Sequence, residues 1–239
     1  MRRRAVALFA LLLTLFACVA PQAYAAPSDW DENNPGALLP THLYAQTAVL
    51  IDAETGDVLF DKDSLARMYP ASTTKIMTLL LAVESDIPLE QEITIPDVAE
   101  NVPSDSSKVP VYAGEQMTFQ DLLYGTMLRS GNDGANAIAY LVGGSIAEFV
   151  AMMNDRAAEI GCTGTHFANA HGYHDETHYS TAYDLALITQ EAMRNETFRQ
   201  IVSTPTYTMA PTENRGAYNL TNTAAMVNPD SSYYYEGCI

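Results

Sequence analysis

The chain has 239 residues and a formal net charge of −17 at pH 7, with 12 basic side chains against 29 acidic ones. That length suits one large domain or two small ones, and the acidic balance argues against nucleic acid or anionic lipid as a partner, since both repel a negative surface. Three cysteines are too few for a disulfide framework.

Arg2, Arg3 and Arg4 precede an apolar run over residues 5–20, and Ala23-Tyr24-Ala25 fits an A-x-A cleavage site. This pattern predicts a secretory signal peptide over residues 1–25. The run is shorter than the ~20 residues of a membrane span, and Pro21 closes it. The mature chain then begins near Ala26, outside the cytoplasm in the cell envelope, and losing three arginines takes its charge from −17 to −20. Leu15-Phe16-Ala17-Cys18 offers an alternative, a lipoprotein signal with Cys18 acylated as a membrane tether, although Phe16 fits it poorly. Cys162 and Cys238 remain after cleavage, and an oxidising compartment permits a bridge that spacing alone does not establish.

Residues 26–41, rich in Pro, Asn, Asp and Ala without periodicity, read as a linker, and residues 42–239 as the folded domain. A β-hairpin is expected from Ala48-Val49-Leu50-Ile51, the turn Ala53-Glu54-Thr55-Gly56 and Val58-Leu59-Phe60. Ser72 to Val83 follows as a helix, with Ile76, Leu79, Leu80 and Val83 at helical spacing and apolar residues on most faces, so it should be buried. Ile93 and Ile95 alternate like a short strand, as do Val109 and Val111, around the loop 103–110. Thr118-x-x-Asp121 and Thr181-x-x-Asp184 are capping-box-like starts for two helices. Two more are expected over 133–142 and 146–160. Strand signals at both ends around a helical block predict a mixed α/β (α+β) domain, with one antiparallel sheet flanked by helices and a helical subdomain. The chain stops on Tyr233-Tyr234-Tyr235-Glu236-Gly237-Cys238-Ile239, apolar strand-forming residues, which suggests that C-terminal strands are missing.

Ser72-Thr73-Thr74-Lys75 is a Ser-x-x-Lys opening that helix. Residues at i and i+3 share a helix face, and a lysine whose pKa burial lowers can deprotonate a serine. The same four residues also suit a plain helix cap with a solvated lysine. Ser130-Gly131-Asn132 falls between two helices, either as a helix-breaking turn or as a polar loop in a cleft, with Ser130 relaying a proton and Asn132 binding a peptide carbonyl.

Taken together, Pro70-Ala71-Ser72-Thr73-Thr74-Lys75 and Leu128-Arg129-Ser130-Gly131-Asn132-Asp133-Gly134-Ala135-Asn136 resemble the low-molecular-mass penicillin-binding D-Ala-D-Ala carboxypeptidases. The hairpin Ile51–Gly56 and the segments Thr165–Gly172 and Tyr179–Ala186 extend the resemblance over most of the mature chain. It implies a β-lactamase/DD-peptidase-like fold and acyl transfer to Ser72, with Lys75 as base, Ser130 as proton relay, Asn132 holding the substrate and no cofactor. The implied partners are a peptidoglycan stem peptide ending in D-Ala-D-Ala and β-lactams as covalent inhibitors, with a possible C-terminal membrane anchor. One departure stands out: the family's Lys-Thr-Gly does not occur, the lysines being Lys62, Lys75 and Lys108, which suggests truncation just before that motif. Other readings are a class A-like β-lactamase, for whose deacylating glutamate Glu176 is only a loose candidate, a silent penicillin-binding module, and a zinc protein using His174-x-x-x-His178.

Overall fold

The computed structural model describes residues 39–236. The expected signal peptide, most of the linker, Cys18 and Cys238 lie outside them. The first strands, β1 (Ala48–Ile51) and β2 (Val58–Lys62), pair antiparallel with Leu50 opposite Phe60 and a bulge after Leu50. Asp52 forms their turn, its Oδ1 accepting from the amides of Glu54 and Thr55, both at 2.8 Å. Such an Asx turn is what a short acid at a turn's first position favours.

The expected helix from Ser72 begins differently. Ala71–Thr74 forms one 3-10 turn, and α1 proper spans Lys75–Val83. Met77, Leu79 and Leu80 are no more than 1% exposed, and α1 packs against the other helices from several sides, as its all-round apolarity requires.

Next, β3 (Glu92–Thr94) pairs antiparallel with β4 (Gln116–Thr118), Ile93 opposite Met117. Val109 and Val111 are thus not strand partners of Ile93 and Ile95. Their amides donate instead to the Asp133 carboxylate, at 2.9 and 3.2 Å, an alternative to the sheet ladder that a buried acid can offer. Helix α2 (Phe119–Arg129) starts at Thr118, whose side chain accepts from the Asp121 amide at 3.1 Å. After it come α3 (Asn132–Gly143), α4 (Ile146–Ile160), α5 (Ala182–Ala192), capped by Thr181, and α6 (Glu196–Ser203). The last strands, β5 (Thr206–Met209) and β6 (Tyr218–Thr221), form a hairpin.

The fold is mixed α/β, as expected, but the described residues hold three separate two-stranded sheets in place of one. Each strand pairs with its neighbour in sequence, and the hairpins are joined through the helical core, whose centre is α1 with Phe119, Leu122, Leu123, Phe149 and Phe167.

Candidate active site

Ser72 lies in the 3-10 turn and Lys75 one turn further on, so both side chains meet at the same end of α1. Lys75 is 1% exposed. Its Nζ donates to Ser72 Oγ at 3.3 Å, to Asn132 Oδ1 at 2.8 Å and to the carbonyl of His171 at 2.8 Å. All three partners are neutral oxygens. Burial therefore pulls the ammonium down to about 8, with the nearby Asp133 carboxylate opposing that shift. At that value about a tenth of the amine is free base at pH 7, beside a hydroxyl, against well under a hundredth for an ordinary lysine.

Three segments converge to hold this geometry. The first is the turn itself, in which Ala71 takes a left-handed φ of 49°, bending the chain into the helix. The second is the 169–178 segment. Gly172 has φ 85°, and a Cβ there would lie 1.7 Å from the Ala71 carbonyl oxygen, so only glycine permits this approach. Asn169 Oδ1 accepts from the Gly172 amide at 2.7 Å. Thr78 donates to the Ala170 carbonyl at 2.6 Å. His178 joins the same contact: its Nδ1 accepts from the Ala168 amide at 3.0 Å, so Nε2 carries the proton and donates to Thr74 Oγ1 at 2.7 Å. Burial lowers both His171 and His178 to about 4, which keeps them neutral, and the Tyr173 and Ala168 amides that donate to their Nδ1 atoms fix the tautomers.

The third segment is the start of α3 with the loop before it. Asn132 donates through Nδ2 to Ser106 Oγ at 3.1 Å, and its amide to the Ser107 carbonyl at 2.8 Å. Asp133, 2% exposed, accepts from the amides of Val109, Val111 and Gly134. Burial raises its pKa against those three amides. The loop 103–110 is thereby pinned onto α3 as one wall of the cleft. Gly131 makes room for it, since a Cβ there would meet Val109 Cγ2 at 2.3 Å.

Between these walls opens a cleft of about 270 Å³ lined by Ser72, Asn132 and Gly172 and by the exposed residues Asp105, Tyr173 and His174. Ser130 stands apart. It is the left-handed C-cap of α2, with φ 56°, half-buried, and its hydroxyl has no hydrogen bond to Ser72 or Lys75.

The histidines do not assemble as a metal centre. His166 Nδ1 bonds the Thr177 carbonyl at 2.6 Å, His174 packs edge-on against Tyr69 at 4.6 Å, and His178 is engaged as above. Among the described residues no group of three His, Cys, Asp or Glu side chains could hold an ion. Cys162 is half-buried, with its Sγ 3.6 Å from the Asp184 carbonyl.

Residues 33–236 match the family described as D-alanyl-D-alanine carboxypeptidase, peptidase family S11. The chain belongs to that family. It is 38% identical over 164 residues to the D-alanyl-D-alanine carboxypeptidase DacF of Bacillus subtilis, covering 67% of this chain and 42% of that protein. Identity to DacB2 of Mycobacterium tuberculosis is 37% over 172 residues, 71% of this chain and 57% of the relative. The chain thus spans about half the length of these curated relatives. Among solved structures, the Streptomyces K15 DD-transpeptidase superposes with a TM-score of 0.71 at 32% identity, covering 77% of this chain and 75% of that one. A D-alanyl-D-alanine carboxypeptidase from M. tuberculosis gives 0.70 at 32%, covering 77% and 68%. The two motifs read from the sequence, Ser72 to Lys75 and Ser130 to Asn132, fall inside the stretch that matches the family.

Two contributors to the site stand outside the Ser-x-x-Lys and Ser-x-Asn motifs themselves. The His171 carbonyl is backbone, which any residue supplies, so only the fold reveals it. Asp133 was within reach of sequence reasoning: an acid in the first turn of an otherwise apolar helix faces its own N-terminal amides.

Proposed function

We propose that this chain is the acyl-transfer part of an exported serine D-Ala-D-Ala carboxypeptidase that trims peptidoglycan stem peptides and is acylated by penicillins. The observation that carries this reading is Lys75 Nζ, buried without a carboxylate partner and 3.3 Å from Ser72 Oγ. Neutral Lys75 takes the hydroxyl proton as Ser72 Oγ attacks the penultimate D-Ala carbonyl carbon. The tetrahedral oxyanion is met by the Ser72 amide, a donor type worth about 10²–10³ in rate. Collapse breaks the peptide bond as Ser130 gives its proton to the departing D-Ala amine and takes back the one held by Lys75, which returns to the neutral amine. Water then hydrolyses the ester on Ser72, returning the free hydroxyl and a stem shortened by one residue.

Asn132 has a double part in this reading. Its Oδ1 holds the Lys75 amine, and its Nδ2 points to the cleft wall at Ser106, where a substrate carbonyl can compete for it. Ser130 is supported by its left-handed backbone, which at a non-glycine residue is a strained conformation often found at functional sites. Export by the signal peptide, and any tether through Cys18 or a C-terminal anchor, place the enzyme at its substrate.

The test is covalent labelling of the full-length protein by fluorescent penicillin. Wild type is expected to label and Ser72→Ala to lose the label entirely. Persistent labelling of a folded Ser72→Ala variant removes Ser72 from the nucleophile role.

A further inference from the structure

The mouth of the cleft carries one carboxylate that the chemistry at Ser72 does not use. Asp105 is exposed in the 103–110 loop, next to Ser106, whose position is fixed by Asn132. Across the opening stands Tyr173, 38% exposed and directly after Gly172. Its hydroxyl donates to Asp105 at 3.2 and 3.4 Å, a forked contact to both carboxylate oxygens. Bonds of this charged type normally close to about 2.5–2.7 Å, so Asp105 is held loosely, and about half of its roughly four acceptor positions remain available to a ligand. Tyr173 stays a neutral donor, since the bond to Asp105 raises its pKa. Tyr69, 59% exposed and edge-on to His174, stands at the same opening.

A carboxylate beside aromatic rings offers an ammonium group an ion pair and a ring face at once. Neutral amides or hydroxyls would gain nothing from the charge. Resting on the reading of Ser72 as nucleophile, we propose that Asp105 and Tyr173 form a specificity subsite for an acyl-donor peptide whose side chain ends in a free primary ammonium, as a lysine-type residue does. Both walls of this subsite belong to the segments that fix Lys75, so a side chain seated there also holds the peptide in register with Ser72.

The experiment uses the full-length protein and two peptides ending in D-Ala-D-Ala, identical except that the lysine-type side chain is free in one and N-acetylated in the other. The readout is the ratio of kcat/KM for the two within each enzyme, which the amount of folded protein does not affect. Wild type is expected to favour the free amine by roughly two- to fivefold, the range of an exposed ion pair, less so at high salt. In Asp105→Asn, which keeps an acceptor for Tyr173, the ratio is expected to fall to about one. Equal use of both peptides by wild type, or a preference surviving in Asp105→Asn, overturns the subsite alone. Wild type that cleaves neither peptide and takes no penicillin label overturns the reading of Ser72, and the subsite with it.

Discussion

Two of the buried ionisable side chains in this domain, Glu115 and Lys75, are treated in opposite ways. Glu115 is fully buried, and its Oε1 accepts from Arg215 Nε at 3.0 Å and from Thr212 Oγ1 at 2.6 Å, while Oε2 accepts from the Tyr112 amide. That is a compensated pair, which ties the loop before β4 to the β5–β6 hairpin. Lys75 is equally buried, yet its amine meets only a hydroxyl, an amide oxygen and a carbonyl. Burial without a bonded counter-ion is costly for the charged form, and the outcome is a lysine near 8. A buried ion pair holds structure together, and a buried lone charge facing a hydroxyl in a cleft is the arrangement of a base.

Substitutions at the two sites should therefore separate chemistry from stability. The largest effect is expected from Lys75→Met, which keeps the length and removes the amine. Acylation by penicillin should fall about 10²–10⁴-fold, the usual worth of a general base, while thermal unfolding shows no loss of stability, because an uncompensated charge has left the core. Glu115→Ala should do the reverse. It leaves Arg215 buried and unpaired, costing about 3–5 kcal/mol in denaturant unfolding, with the acylation rate of the remaining folded molecules unchanged. Smaller again is Gly172→Ala. Its Cβ would collide with the Ala71 carbonyl in a left-handed backbone, so stability should drop by about 1–3 kcal/mol. Because His171 O shifts with that segment, acylation should slow as well. Rate and stability falling together would mark the 169–178 segment as the link between the two behaviours.

Much of the helical frame was legible in the sequence. Thr118, Thr181 and Ser145 each accept from the amide three residues on, and α4 spans Ile146–Ile160 as its apolar periodicity indicates. The i, i+3 spacing put Ser72 and Lys75 on one face, where their atoms lie 3.3 Å apart. Strand partners were less accessible. Ile93 pairs with Met117 and not with Val109, because alternation identifies a strand without saying which distant segment it meets, and Asp133 had captured the Val109 amide. Helix α6 carries a signal of its own in the sequence: Asn195 as N-cap, then Phe198, Ile201 and Val202 at helical spacing. The other two partners of Lys75 lie 57 and 96 residues away; the Ser-Gly-Asn turn marks Asn132 as a cleft residue, but that it meets the Lys75 amine, and that the His171 carbonyl does, depends on tertiary packing and leaves no local pattern.

The central claim is that burial tunes Lys75 to activate Ser72, and the pH dependence of acylation tests it most directly. The reactive form is the free amine, and its pKa is lowered toward about 8. The rate of penicillin acylation by the full-length protein should rise with pH through a midpoint near 8 and level off above it. In Lys75→Met the residual rate should lack that rise. An acylation rate that stays flat from pH 6 to 10, or the same midpoint persisting without Lys75, would contradict the account.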